Sequence, residues 1–171
     1  MKTFEELKEE LLTRAKNASA CQSGYAMGLR SNTKAGLLKA ITENWFWVLV
    51  EAKIVDAEYL EDNFTEEELS QAGIYTKNTH KVRTASFACG SATVEACGSA
   101  TVKACGSATV KACGSATVEA YDGATVKAYE NSYVEDCTGN IRPESDYAIV
   151  KDYRNHKIYI KKGKFEIIEI D

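Results

Sequence analysis

The chain has 171 residues, a net charge of −4 and charges of both signs throughout. It lacks the basic stripe of a nucleic-acid footprint and the heavy acidic bias of a DNA mimic. No apolar run reaches the roughly 20 residues of a membrane-spanning helix, and the length suits one compound domain or two small ones.

Residues 1–79 read as a small helical domain. Thr3-Phe-Glu-Glu6 is a capping box, followed by Phe4, Leu7, Leu11, Leu12 and Ala15 at helical spacing. The charged, amphipathic stretch Met1–Glu10 is unlike a secretion signal, so the expected compartment is the cytoplasm. A second short helix carries Cys21, Tyr25, Ala26 and Leu29 and ends near Ser31-Asn32, and Thr33 caps a third with Leu37, Leu38 and Ile41 inward. Thr42–Ala52 is the most apolar window and reads as a core helix capped by Thr42. Its Trp45, Phe46, Trp47 and Leu49 are expected in this domain's core and against the first coil that follows, with an exposed aromatic patch as the alternative. Asp56 and the capping box Thr65–Glu68 start two further helices, and Gly73 sits where a C-terminal cap belongs. Ile74–Asn78 is then the first extended segment.

From Ala88 to Glu135 one eight-residue phrase is written six times, four times as Ala-Cys-Gly-Ser-Ala-Thr-Val-Glu/Lys and twice in looser form. A short fixed period signals a repeat architecture. Alternation in Ala92-Thr-Val-Glu-Ala96 puts Ala92, Val94 and Ala96 on one face of a strand and Thr93 and Glu95 on the other. Gly98-Ser99 supplies a corner. One strand and one corner cannot close a coil, but two octads make a 16-residue coil with a strand on each of two faces. Cys gives way to Tyr at 121 and 129; a tight interior would be overpacked by Tyr, so this slot faces outward or sits at a roomy corner, with an inward Cys and two bulged coils as the alternative. The phase continues to residue 159, although the octad 136–143 is degraded, with Arg142 in the Val slot and Pro143 after it.

Lys164–Ile170 is strand-like, and 152–171 reads as a hairpin that closes the coil stack. The expected fold is therefore α+β: helices over 1–79 capping a two-sheet β-solenoid over 80–160, with a capping strand over 161–171.

The octads, the leader with Cys21 and Trp45, and the ending Ile158–Glu166 resemble repeat tracts of phage- and prophage-encoded proteins. That resemblance implies no shared activity, ligand or catalytic residue.

The octad cysteines follow the repeat, so they read as ladder positions rather than a disulfide framework or a metal site. His80 and His156 both lie beside Lys and read as solvated, and no catalytic arrangement or phosphate-binding loop is visible. No enzyme, cofactor or metal is expected. The expected role is a protein-interaction module of a phage or mobile element that binds a host protein, a homodimer through a flat face being compatible with it. The candidate binding residues on the exposed faces are Lys103, Lys111, Glu119, Tyr121, Lys127, Tyr129 and Tyr133. A structural or adhesive module is the alternative. Ice binding is disfavoured, because the Thr rows are interrupted by Lys and Glu.

Overall fold

The computed structural model describes residues 2–168, which form parts of two compact units, Met1–Thr76 and Lys77–Asp171. The first unit holds α1 (Phe4–Asn17), α2 (Gln22–Arg30), α3 (Lys34–Glu43), a π-helix (Phe46–Glu51), α4 (Ala57–Asn63), α5 (Glu66–Gln71) and the two-residue strand β1 (Ile74–Tyr75). Its helix starts follow local chemistry. The hydroxyls of Thr3, Thr33 and Thr65 and the carboxylate of Asp56 accept the otherwise orphaned first-turn amides, and Thr3–Glu6 and Thr65–Glu68 are full capping boxes. Leu7, Leu37, Leu38, Trp45, Leu60 and Phe64 fill the core. Long cations tie the helices from outside it. Lys8 donates to the Ser31 carbonyl at 2.8 Å and Lys34 to that of Asn63 at 2.8 Å. Arg14 donates to the Ile54 carbonyl at 2.8 Å while stacking 4.2 Å from the Tyr59 ring.

The apolar window departs from the expected capped helix. The Thr42 hydroxyl donates back to the Lys39 carbonyl inside α3, so it caps nothing, and Asn44 closes α3 instead. The π-helix follows, with Ala52 N–H donating to the Trp47 carbonyl at 2.8 Å. Trp45, Val48 and Leu49 turn into the core, Trp47 is half-buried and Phe46 is 44% exposed, so the aromatic run is split between core and surface.

The second unit is a parallel β-solenoid. Its strands are β2 (Thr79–Val82), β3 (Ser86–Ala88), β4 (Thr93–Ala96), β5 (Thr101–Ala104), β6 (Thr109–Ala112), β7 (Thr117–Ala120), β8 (Thr125–Ala128), β9 (Tyr133–Asp136), β10 (Ile149–Asp152) and β11 (Lys157–Tyr159). One sheet runs β2-β4-β6-β8, hereafter sheet B; the other, sheet A, contains the run β3-β5-β7-β9-β10-β11. Within the repeat each residue pairs with the one 16 positions on, as in Val94↔Val110↔Val126 and Val102↔Val118↔Val134. Ala92, Val94 and Ala96 and their equivalents through Ala120 are fully buried between the sheets, which leaves Thr and Glu/Lys outward. Each corner closes by a bond across three residues, such as Ala100 N–H to the Cys97 carbonyl, with φ of +65° at Gly98. Asp122 and Glu130 hold the same slot at φ of +53°.

The strict phase is broken at both ends. Parallel pairing begins already at β2, 14 residues before its partner, as Thr79↔Thr93. After Asp136, which ends β9, and Cys137, whose N–H still donates to the Ala120 carbonyl, octad 136–143 forms no strand of its own and meets the ladder again at the Ala128↔Pro143 bridge. Its first residue, Asp136, takes the slot filled by Ala104 and Ala120 but is a fully buried carboxylate. It accepts bonds from the amides of Thr138, Gly139 and Ile141 and from the Thr138 hydroxyl, which bends the chain out of the coil. Asp152 repeats the device one strand on, accepting from the Asn155 amide and side chain at 2.8 Å each. The chain then reverses, and β11 lies antiparallel to β10 instead of starting another coil. The closing hairpin therefore spans 149–159. Residues 161–168 of the expected C-terminal capping strand contain no strand, and 169–171 lie outside the described residues.

Candidate functional site

The outer face of sheet A is built from rows one strand apart. Its central row is Phe87, Lys103, Glu119, Glu135 and Lys151. Lys103 Nζ lies 2.9 Å from the Glu119 carboxylate. The Tyr121 hydroxyl donates to the same carboxylate at 2.9 Å, and the Tyr133 and Tyr153 hydroxyls approach Glu135 at 3.5 and 3.3 Å. Lys151 Nζ sits 4.4 Å from the centre of the Tyr153 ring. Burial, reinforced by the neighbouring carboxylates Glu119 and Glu135, raises the phenols of Tyr121 and Tyr133 above their ordinary range. The phenols thus stay neutral donors at physiological pH, and the face is a tyrosine-and-carboxylate surface held rigid by ladder register.

Sheet B presents a different face. Its rows are Thr79, Thr93, Thr109, Thr125 and Lys81, Glu95, Lys111, Lys127. The second row has three cations to one anion. Lys111 Nζ stands 5.9 Å from the Tyr129 ring centre.

The candidate binding residues therefore divide: Lys103, Glu119, Tyr121 and Tyr133 lie on sheet A, whereas Lys111, Lys127 and Tyr129 lie on sheet B or at its corner. They do not form a single site. Glu135, Lys151 and Tyr153 belong to the sheet A group and were missed as candidates. The signal was present, since the same 16-residue step leads from Glu119 to Glu135 and Lys151.

The cysteine slot lies at the corners, where burial is graded: Cys89 and Cys105 are buried, Cys97 and Cys113 half-buried and Cys137 exposed. Tyr121 fits the slot by reaching outward to Glu119. Burial raises the Cys113 and Cys137 thiols.

The helical unit holds a separate, half-open cavity of about 310 Å³ among α1, α2, α3 and the π-helix. Leu11, Leu37, Ile41, Trp47 and Val55 make most of it apolar, and the small residues Gly24, Gly28 and Ala40 leave the room. Cys21 lies on its lining as the N-cap of α2, and bonds from the Ser23 hydroxyl and then the Gly24 amide hold its thiol below the usual range. Nothing in the sequence periodicity marks this cavity, because it depends on how the helices pack around these small residues.

Among the described residues no group of three or more His, Cys, Asp or Glu is placed to hold a metal ion, and no helix is long and apolar enough to cross a membrane. Comparison with protein-family models, curated proteins and solved structures finds no match, so the chain is assigned to no family.

Proposed function

We propose that the chain is a non-enzymatic protein-interaction module whose contact surface is the outer face of sheet A. The observation that carries this reading is the cluster of Tyr121, Tyr133 and Tyr153 around Glu119 and Glu135, each phenol oriented by a carboxylate on a fixed ladder. Tyrosine supplies large contact area at low entropic cost, and preorganised aromatic residues carry a disproportionate share of interface energy. A flat, regular sheet suits a protein surface better than a small substrate. A host protein in the bacterial cytoplasm is the proposed partner, and that part rests on the resemblance to phage and prophage repeat tracts alone.

The test is affinity capture from bacterial lysate with the full chain, a Tyr121→Ser/Tyr133→Ser/Tyr153→Ser variant and a Lys111→Ser/Lys127→Ser variant, each checked for retained folding by circular dichroism. The expected result is one protein held by the wild type and the sheet B variant and reduced at least about tenfold with the tyrosine variant. Equal capture by the tyrosine variant overturns the assignment of the face. Recovery of only the chain itself, as a large assembly, supports a structural or adhesive role instead.

A further inference from the structure

Six cysteines differ in two properties that decide whether they can act together: stacking and access. The ladder bonds run on into the corners, with Cys97 N–H donating to the Val82 carbonyl at 3.0 Å, Cys113 N–H to Ala96 at 2.9 Å and Tyr129 N–H to Ala112 at 2.9 Å. Cys97 and Cys113 thus occupy the same slot of sheet B one strand apart. Cys89 and Cys105 are stacked likewise on sheet A, Cys105 N–H donating to the Ala88 carbonyl, but they are only 2–3% exposed. Cys137 follows Tyr121 in its row and precedes Tyr153, so it has no stacked thiol, and Cys21 stands in the helical unit. Cys97 and Cys113 are the one pair that is both stacked and half-exposed.

We propose that Cys97 and Cys113 form a two-coordinate site for a soft d10 cation, Cu(I) being the physiological representative. Equivalent positions on adjacent strands repeat at about 4.8 Å, and two metal–thiolate bonds of about 2.3 Å laid end to end span about 4.6 Å. Thiolates select Cu(I) over harder ions. A tetrahedral zinc site needs further ligands that no described group of His, Cys, Asp and Glu supplies here. Loading is an exchange without redox change: two S–H bonds break, two Cu–S bonds form, two protons leave, and the complex carries one negative charge. Lys111, two residues before Cys113 on the same face, and Arg83, next after Val82 at the neighbouring end of the row, offset that charge. Glu95 and Glu130 are the anions that act against it, and Glu130 is already engaged by the Gly114 amide. Tyr129 closes the other end of the row.

The experiment equilibrates fully reduced, full-length protein with Cu(I) held by a bathocuproine-type chelator under anaerobic conditions, and reads the loss of the coloured chelate. The wild type and a Cys21→Ser/Cys137→Ser variant are expected to retain one Cu(I) per chain. Cys97→Ser and Cys113→Ser should each bind about a hundredfold more weakly, because a chelate becomes a single ligand. Undiminished retention by either of these variants, or loss of retention in Cys21→Ser/Cys137→Ser, overturns the site. A second measurement needs no variant: one bound Cu(I) should protect Cys97 and Cys113 from maleimide labelling while Cys21 and Cys137 still react. Labelling of Cys97 and Cys113 in the loaded protein likewise overturns it.

Discussion

Ser132 stands in the row Ala100, Ala116, Ser132, Ala148 of sheet A, fully buried, and its hydroxyl finds no partner among the described residues. An unsatisfied buried hydroxyl costs about 1–3 kcal/mol, and alanine already fits the same slot elsewhere in the row. Ser132→Ala should therefore raise the melting temperature by about 2–4 °C per kcal/mol recovered in a chain of this size, measured by thermal circular dichroism. The corner glycines divide by a similar argument. A Cβ on Gly98 meets nothing within 4 Å, whereas one on Gly114 would lie 2.9 Å from the Gly98 carbonyl oxygen. Both have φ above +60°, so alanine costs about 1–2 kcal/mol of backbone strain at either, but Gly114→Ala adds a backbone clash. In paired chemical denaturation Gly114→Ala should be the less stable of the two; equal stabilities would show that the corners yield.

At the scale of elements, the end of the coil stack is set by two buried carboxylates rather than by the hydrophobic pattern. Bonds from the Asn155 side chain, followed by its backbone amide and the charge of Arg142, hold the Asp152 carboxyl below its ordinary value of 3.8, against the opposing effect of burial. A lowered native value means that the carboxylate's contribution is fully present above about pH 4 and is lost as pH falls through the native value. The melting-temperature gap between wild type and Asp152→Ala should thus be full at pH 7 and shrink below pH 4. A gap unchanged at the lowest accessible pH would remove the carboxylate from the account. Arg154 and Asn155 also reach back to the Thr138 and Gly139 carbonyls, at 3.2 and 3.5 Å, so the two Asp-led loops brace each other.

At the scale of the whole chain, the repeat unit in space is the pair of octads, since hydrogen-bonded partners lie 16 residues apart. Deleting 97–112 removes β5 and β6 together and leaves every later strand in its own sheet. Deleting 97–104 removes β5 alone and forces β6 and all that follows to exchange sheets, which would carry the Asp136 and Asp152 loops to the wrong side. The 16-residue deletion should melt cooperatively within a few degrees of the wild type, and the eight-residue deletion far lower or not cooperatively. Nearest-neighbour coupling in solenoids is the reason.

Much of this was legible in the residues alone. Period-two alternation states which side chains face inward, two octads are the least that close a coil, and the caps at Thr3, Thr33, Asp56 and Thr65 involve partners three residues away. What escaped the sequence depends on contacts distant along the chain. Cys89, Cys97, Cys105 and Cys113 share one phrase yet divide between buried and half-buried. The candidate residues share one spacing yet separate onto two faces, because odd and even octads enter different sheets. Octad 136–143 keeps the phase on paper, but the Asp136 carboxylate gathers four donors and outweighs the weak strand preference of Asn-Ile-Arg-Pro. Periodicity determined the coil, its interior and its length in residues. Burial depth, the π-helical turn and the final reversal were decided by tertiary structure, because each depends on which neighbours remain to satisfy a buried polar group or fill a space.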